Sequence, residues 1–197
     1  KIKESIELFL TSPDILKKYS TNALSITDGN GSFKIAQELK FSPKIEVLIT
    51  DINHPVMSYL REWASSRGDV NIAHSSKDLH GGKFLFLVSC SEIVTEAIIE
   101  KFKHALVLHA SDLPKGRGWS PHIWAVLEGR DRLTVSLIEA DPKVDRGSIW
   151  LQEQILLEGH ELSTEINDKI FKAELNLMSM AVNATHEITP RAQEDAV

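Results

Sequence analysis

The sequence predicts a three-layer, doubly wound α/β domain with a mostly parallel sheet and an added N-terminal segment. Short apolar runs rich in β-branched residues recur from residue 45 onward, and segments with helical periodicity lie between them. This alternation of strands and helices is typical of doubly wound domains. A chain of 197 residues is long enough for one such domain with modest additions. We therefore expect an N-terminal extension of unknown role at 1–44, the α/β domain at 45–188 and a C-terminal tail at 189–197.

The first half of the domain contains three predicted strands. The run at 45–50 is continuously apolar, as expected for a strand buried on both faces of a parallel sheet. Pro55 suits the first turn of the following helix, and Gly68 suits its end. The other predicted elements here are a short strand at 70–73, a glycine-containing loop at 77–83 and a central strand at 84–88.

The second half continues the alternation. Its predicted elements are a helix at 92–102, a strand at 105–108, a helix at 121–127, strands at 133–139 and 148–156, and a helix at 162–184. Trp124 lies on the apolar side of the helix at 121–127, so we expect it in the core. The last helix places one apolar stripe along its length. That stripe comprises Leu162, Ile166, Ile170, Leu175, Met178 and Val182.

The N-terminal segment does not follow this pattern clearly. Its sequence predicts a helix at 5–19 interrupted near Pro13, a short strand at 24–27 and a short helix at 33–40. The glycine-rich stretch at 28–32 lies between a strand-like and a helix-like run. It is either an ordinary turn or a phosphate-binding loop.

Composition excludes several classes of protein. The net charge of −6 argues against a broad nucleic-acid surface. Cys90 is the single cysteine, which excludes a disulfide within the chain and a thiolate metal site. The histidines lack ligand spacing, so we expect no metal. No apolar run is long enough to cross a bilayer, and residues 1–10 do not read as a signal peptide, so we expect a cytoplasmic protein without membrane contact.

A local basic spot is compatible with this acidic composition. Four basic residues lie between positions 115 and 132, and together they can hold a phosphate group. They are Lys115, Arg117, Arg130 and Arg132.

The stretch at 106–150 carries most of the chemistry. One strand-like run ends at His109, and a second ends shortly before Asp145. If the two strands are neighbours, an imidazole and a carboxylate meet at the carboxyl ends of the strands, where open α/β sheets bind ligands. Such a pair suits proton movement during acyl transfer. The alternatives are a strand-end histidine bonded to a backbone carbonyl and an aspartate that belongs only to a turn.

The sequence HASDLPKGRGWSPHIWAVLEG, followed by LIEADPKVDRGSIWLQ, resembles the formyltransferase domain that uses N10-formyltetrahydrofolate. That family includes methionyl-tRNA formyltransferase, glycinamide ribonucleotide transformylase and the nucleotide-sugar N-formyltransferases. The resemblance covers about residues 45–185. The form that the first motif takes at 112–121 is most similar to the amino-sugar branch. That branch includes pseudaminic-acid-pathway enzymes acting on a UDP-linked 4-amino sugar. The matching positions are His109, Ser111, Leu113, Pro114, Arg117, Gly118 and 144–147.

The resemblance implies a Rossmann-like formyltransferase fold and an N-formyltransferase. The formyl group would move from N10-formyltetrahydrofolate, as cosubstrate, to the amine of a UDP-linked 4-amino-dideoxy sugar, with His109 and Asp145 as catalytic residues. Backbone groups of two loops would hold the pteridine, at Cys90, Glu92, Ile93, Val94, Asp141, Lys143 and Val144. The acceptor would be bound by Ser111, Lys115, Arg117, Trp119 and Ser120, with packing or solvent exposure as the alternative for Arg117 and Trp119.

Two other functions stay open. One is a formyltransferase of the glycinamide ribonucleotide type, and the other is a catalytically weakened homologue that only binds a sugar nucleotide or folate. We do not expect methionyl-tRNA as the acceptor, because neither an RNA-binding domain nor a basic surface is visible. The expected partners are these small molecules, with a homodimer left open.

One position departs from the family pattern. The family has an Asn two residues before the histidine, where this chain has Val107. That Asn donates a hydrogen bond to the developing oxyanion, and such donors contribute roughly 3 kcal/mol. Valine cannot donate. Ser111, Ser120, His122 or a backbone amide must therefore replace it, or the enzyme is slower.

Overall fold

The computed structural model describes residues 10–26 and 44–194. Contacts divide the chain into two units, 1–42 and 43–197, and each is described by itself. In the first unit, helix α1 spans Pro13–Ile26, and the helix is interrupted just before Pro13, as predicted. The strand predicted at 24–27 is wrong in its described part, because α1 continues through residues 24–26. The stretches at 5–9, 28–32 and 33–40 lie outside the described residues.

The second unit is built on a six-stranded sheet in the order β2-β1-β3-β4-β5-β6. The first four strands pair in parallel, β5 is antiparallel to β4, and β6 is antiparallel to β5. Of the six described strands, only β5 runs against the others, so the predicted mostly parallel sheet is confirmed. The strands are β1 Ile45–Leu48, β2 Val70–Ala73, β3 Gly82–Leu87, β4 Phe102–His109, β5 Arg132–Glu139 and β6 Ile149–Leu156.

Helices cover both faces of the sheet, which gives the predicted three layers. On one face, Phe86 and Leu106 pack with Met178 in the main core cluster. On the other face, Leu85 and Ala105 pack in a smaller cluster. Full burial of a side chain such as Phe86 contributes about 1.5–3 kcal/mol. The helices of this unit are α2 Met57–Ser65, α3 Glu96–Ile99, α4 Pro121–Leu127 and α5 Ser163–Asn183, with a 3₁₀ turn at Ser76–Asp78.

Two helices differ from the sequence prediction. The helix predicted at 92–102 is a single turn, α3, because residues 91–94 are not helical and Phe102 already belongs to β4. The predicted apolar stripe of α5 is only partly buried. Leu162 precedes the helix and is exposed, and the buried stripe passes through Phe171 and Leu177 instead.

Helix α4 leaves most of its apolar side chains in solvent. Trp124 is 63% exposed, so its predicted place in the core is wrong. Ile123 and Leu127 on the same helix are also largely exposed. An apolar helical pattern predicts a packed face, but it cannot show which neighbour covers that face. In the described residues no helix is both long enough and apolar enough to span a bilayer.

Candidate active site

Strand β4 carries His109 to the carboxyl edge of the sheet. Side chains alternate along a strand, so His109 lies on the same face as Val107. Val107 is partly buried among apolar residues of that face and offers no hydrogen-bond donor. The Nε2 atom of His109 lies 2.9 Å from the carbonyl oxygen of Gly116. The ring is therefore anchored to the loop that follows β4.

Asp145 reaches this edge by a different route from the one predicted. Because β5 is antiparallel to β4, the two carboxyl ends do not meet: Glu139, the last residue of β5, lies opposite Leu106. The loop after β5 then doubles back and is closed by a hydrogen bond from the Glu139 amide to the Ser148 carbonyl, at 2.9 Å. Gly147 allows this closure, since a Cβ there would lie 1.8 Å from the Glu139 carbonyl oxygen.

The structure thus brings the two predicted catalytic side chains together. His109 Nδ1 lies 3.6 Å from Asp145 Oδ1, and the two side chains are 10% and 9% exposed. The Gly118 amide donates a 3.0 Å hydrogen bond to Asp145 Oδ2. With Nε2 facing a carbonyl and Nδ1 facing a carboxylate, only the protonated ring has a donor for both neighbours. The ring is therefore held between two hydrogen-bond acceptors.

Polar contacts fix the loop after β4 to the sheet. The Ser111 amide donates to the His109 carbonyl at 2.9 Å. Ser136 Oγ on β5 donates to the Ser111 carbonyl at 2.6 Å, and Gln152 Nε2 on β6 donates to Ser136 Oγ at 2.9 Å. The peptide between Leu113 and Pro114 is cis. The loop is therefore tied to two strands beyond its own.

Two buried polar atoms near this loop have no hydrogen-bond partner among the described residues. They are Ser111 Oγ and His122 Nδ1. Burial, and secondarily the nearby His109, lowers the pKa of His122, which favours its neutral form. Ser120 is exposed and adopts a left-handed φ of 50° just before α4. Buried polar groups in native proteins are nearly always paired, so the two unpaired atoms suggest contacts to a ligand.

A cleft of about 690 Å³ lies beside the loop, between α4 and the start of β5. His109 does not line it, and the cleft adjoins the pair through Ser111 and Gly116. Trp119, 81% exposed, and Trp124 present aromatic surface there. The four residues of the predicted basic spot all line this cleft, together with three carboxylates: Lys115, Arg117, Arg130, Arg132, Asp112, Glu128 and Asp131.

The two predicted pteridine loops border the same face of the sheet as His109. Cys90 and Val94 from the first loop pack in the cluster that includes Ala140 and Val107. Ile93 and Val144 are largely exposed.

Local hydrogen bonds shape each of the two loops that are predicted to hold the pteridine. Burial raises the pKa of the Cys90 thiol, whose Sγ lies 3.4 Å from the Glu92 carbonyl. The Ser76 amide donates to Glu92 Oε2 at 2.7 Å, and the Lys143 amide donates to Asp141 Oδ1 at 2.7 Å.

Gln193 contacts the candidate site, and the sequence did not reveal it. It lies in the predicted C-terminal tail, yet its side chain contacts both Arg117 and the loop that carries Asp145. No sequence motif marks it. In residues 10–26 and 44–194, no group of three or more His, Cys, Asp or Glu side chains is placed to hold a metal ion.

Comparison with known sequences gives a family and several relatives. Residues 19–182 match the family described as formyl transferase. The methionyl-tRNA formyltransferase of Alkaliphilus oremlandii is 28% identical over 103 residues, covering 52% of this chain and 33% of that protein. The enzyme of the same name from Thermodesulfovibrio yellowstonii is 30% identical over 128 residues, covering 64% and 41%. The chain thus spans 33% and 41% of the length of these two curated relatives.

Solved structures share the fold at low sequence identity. Methionyl-tRNA formyltransferase from Clostridium thermocellum aligns with a TM-score of 0.65 at 21% identity, covering 77% of this chain and 69% of that one. The formyltransferase PseJ from Anoxybacillus kamchatkensis, in complex with UDP-4,6-dideoxy-4-formamido-L-AltNAc and tetrahydrofolate, aligns with a TM-score of 0.60 at 21% identity, covering 77% and 82%. A 4-N formyltransferase from Francisella tularensis aligns with a TM-score of 0.61 at 17% identity, covering 78% and 74%. These alignments confirm the predicted α/β formyltransferase fold.

Proposed function

The chain belongs to the formyl transferase family, and from that premise we propose that it formylates the amine of a UDP-linked 4-amino-dideoxy sugar. N10-formyltetrahydrofolate is the donor. The observation that carries the proposal is the buried pair of His109 and Asp145, 3.6 Å apart at the carboxyl edge of the sheet. The structural similarity to PseJ, solved with a UDP-linked formamido sugar and tetrahydrofolate, supports this substrate class.

The reaction needs controlled movement of one proton. The acceptor amine attacks the formyl carbon, a C–N bond forms, and the carbonyl oxygen becomes an oxyanion. The oxyanion then collapses, the bond from the formyl carbon to N10 breaks, and tetrahydrofolate leaves with the proton that the amine has lost. His109 carries that proton on Nε2, which exchanges its contact with the Gly116 carbonyl for the substrate, while the Asp145 carboxylate faces Nδ1 and orients the ring. Positioned acid–base catalysis of this kind contributes about 10²–10⁴-fold.

The oxyanion needs a donor that Val107 cannot supply. Ser111 Oγ and His122 Nδ1 are buried near His109, and neither has a partner among the described residues. We propose that one of them donates to the oxyanion. A comparison of Ser111→Ala with His122→Phe tests this. The substitution that removes the true donor should lower kcat without raising KM.

The cleft beside the loop is the proposed acceptor site. Lys115, Arg130 and Arg132 supply positive charge for two phosphates, and the exposed ring of Trp124 supplies a surface for the uracil base. Arg130 also pairs with Glu128 at 2.7 Å, so part of the positive charge is neutralised locally. With four basic and three acidic side chains, the cleft suits one diphosphate better than a nucleic-acid backbone.

The curated relatives favour a second candidate. Both bear the name methionyl-tRNA formyltransferase, at 28% and 30% identity, so an aminoacyl-tRNA amine is the other acceptor to test. The same His109–Asp145 chemistry applies to it, since both acceptors present a primary amine.

A direct assay distinguishes the candidates. The full chain is incubated with N10-formyltetrahydrofolate and a UDP-linked 4-amino sugar, and the product is weighed by mass spectrometry. We expect a sugar nucleotide heavier by one CO, together with released tetrahydrofolate. Parallel reactions contain glycinamide ribonucleotide or methionyl-tRNA. Turnover with either of these alone would reassign the acceptor, and binding of donor and sugar nucleotide without product would indicate a binding protein.

A further inference from the structure

We propose that Gln193 is a positioning residue that holds the loops carrying both proposed catalytic groups in register. The inference rests on the proposed function of His109 and Asp145. The half-buried side chain of Gln193 forms four hydrogen bonds to two loops. Its Oε1 accepts from Arg117 Nε at 3.2 Å and Nη2 at 2.8 Å. Its Nε2 donates to the carbonyl oxygens of Asp145 at 2.9 Å and Gly147 at 2.8 Å.

The backbone that carries Gln193 is itself anchored to the sheet. Arg191 and Ile149 exchange two backbone hydrogen bonds, of 2.7 and 2.8 Å, in an isolated antiparallel bridge at the start of β6. The Arg191 guanidinium also donates to Gln152 Oε1 at 2.9 Å. We call residues 191–193 the strap. Because its bridge is two residues before Gln193, the amide of Gln193 is presented to the loops from a fixed point.

The loop after β4 needs such an external restraint. Arg117 is flanked by Gly116 and Gly118, which both have positive φ, 74° and 106°. Glycines allow many backbone conformations, so this turn has little stiffness of its own. Yet the Gly116 carbonyl holds His109 Nε2, and the Gly118 amide holds Asp145 Oδ2. When Gln193 fixes Arg117, it therefore restrains the contacts of both catalytic groups.

The loop after β5 has the same need. Asp145 has a left-handed φ of 56°, a conformation that is uncommon for residues other than glycine, although aspartate adopts it more readily than most. The two N–H groups of Gln193 bind the carbonyls of Asp145 and Gly147 on either side of Arg146. The strap thus supports Asp145 in the orientation that faces His109.

This arrangement predicts a loss of turnover without a comparable loss of substrate binding. Small misplacements of catalytic groups lower the rate strongly, because the productive geometry is populated less often. In the proposed function, Lys115, Arg130 and Arg132 bind the acceptor diphosphate, and backbone groups at 90–94 and 141–144 bind the pteridine. Gln193 forms none of its four hydrogen bonds with these groups. Gln193→Ala should therefore lower kcat about tenfold or more while KM for both substrates changes by less than about threefold.

The test compares three variants of the full chain. Glu194→Ala is the matched control, because Glu194 is the next residue and its side chain is exposed. Gln193→Glu keeps an acceptor for Arg117 but loses both donors to the Asp145 loop. Steady-state kinetics are measured together with amide hydrogen exchange. We expect Gln193→Ala to speed exchange at 116–118 and 145–147, Gln193→Glu to speed it mainly at 145–147, and Glu194→Ala to change neither.

Two results would overturn the inference. One is a Gln193→Ala enzyme with wild-type kcat, even if its melting temperature falls, since that would make the strap a stability element only. The other is unchanged hydrogen exchange in both loops. If the wild-type chain transfers no formyl group to any acceptor, the proposed function fails, and hydrogen exchange still decides whether Gln193 restrains the two loops.

Discussion

Two adjoining regions at the carboxyl edge of the sheet differ in how firmly their side chains are held. His109 and Asp145 are almost fully buried, and backbone groups of Gly116 and Gly118 bind them. In the neighbouring cleft, Trp119 and Trp124 are mostly exposed. We infer that the two regions have different roles, the buried pair in the chemistry and the cleft in acceptor binding. In the proposed function, the chemistry uses geometry that is set before substrate arrives, and acceptor recognition uses side chains that can adapt.

Removal of the imidazole should have the largest effect. His109→Ala deletes the group that we propose carries the proton, so kcat should fall by about 10³-fold or more. The far-ultraviolet circular dichroism spectrum should stay unchanged, because His109 is not part of the main core cluster. Near-normal kinetics in this variant would show that the site is misassigned.

Removal of the charge next to the imidazole should have the next largest effect. Asp145→Asn keeps an oxygen for the Gly118 amide but loses the negative charge that faces His109 Nδ1. We expect kcat to fall about 10²-fold, measured by release of tetrahydrofolate. Asp69→Asn, which removes a carboxylate on the loop before β2, serves as the control and should behave as wild type. Equal kinetics for the two variants would contradict the role of Asp145.

A second buried carboxyl sharpens the contrast with Asp145. Glu174 on α5 is fully buried, its Oε2 has no partner among the described residues, and burial raises its pKa from the ordinary 4.5 to about 8. Because the folded state retains this proton and the unfolded state does not, stability should fall between pH 4.5 and 8, by at most roughly 1.4 kcal/mol per pH unit. Glu174→Gln should flatten this dependence in urea unfolding at several pH values. The same slope in both proteins would exclude Glu174 as its source.

The smallest expected effect concerns the cleft. Trp124→Ala should raise the acceptor KM about fivefold, as expected for loss of about 1 kcal/mol of aromatic contact. Stability should change little, because the side chain is already exposed. Leu127→Ala is the matched control, since Leu127 lies on the same helix, is 72% exposed and does not line the cleft. An equal KM change in both variants would remove the case for Trp124 in acceptor binding.

Local patterns in the sequence predicted much of this molecule and missed specific parts of it. The apolar runs located the strands, and the motifs around His109 and Asp145 identified a pair that the structure brings together. The direction of β5 was missed, because an apolar run has the same pattern whether its strand pairs in parallel or antiparallel. Gln193 was missed because its partners lie 76 and 46 residues away, on loops that only the fold brings to the strap.

The most direct test of the central claim is a crystal structure of the full chain with 5-formyltetrahydrofolate and UDP. We expect the formyl group beside His109 and Asp145, with the pteridine between the loops at 90–94 and 141–144. The diphosphate should lie in the cleft near Lys115 and Arg130. A folate bound away from the His109–Asp145 pair would contradict the account.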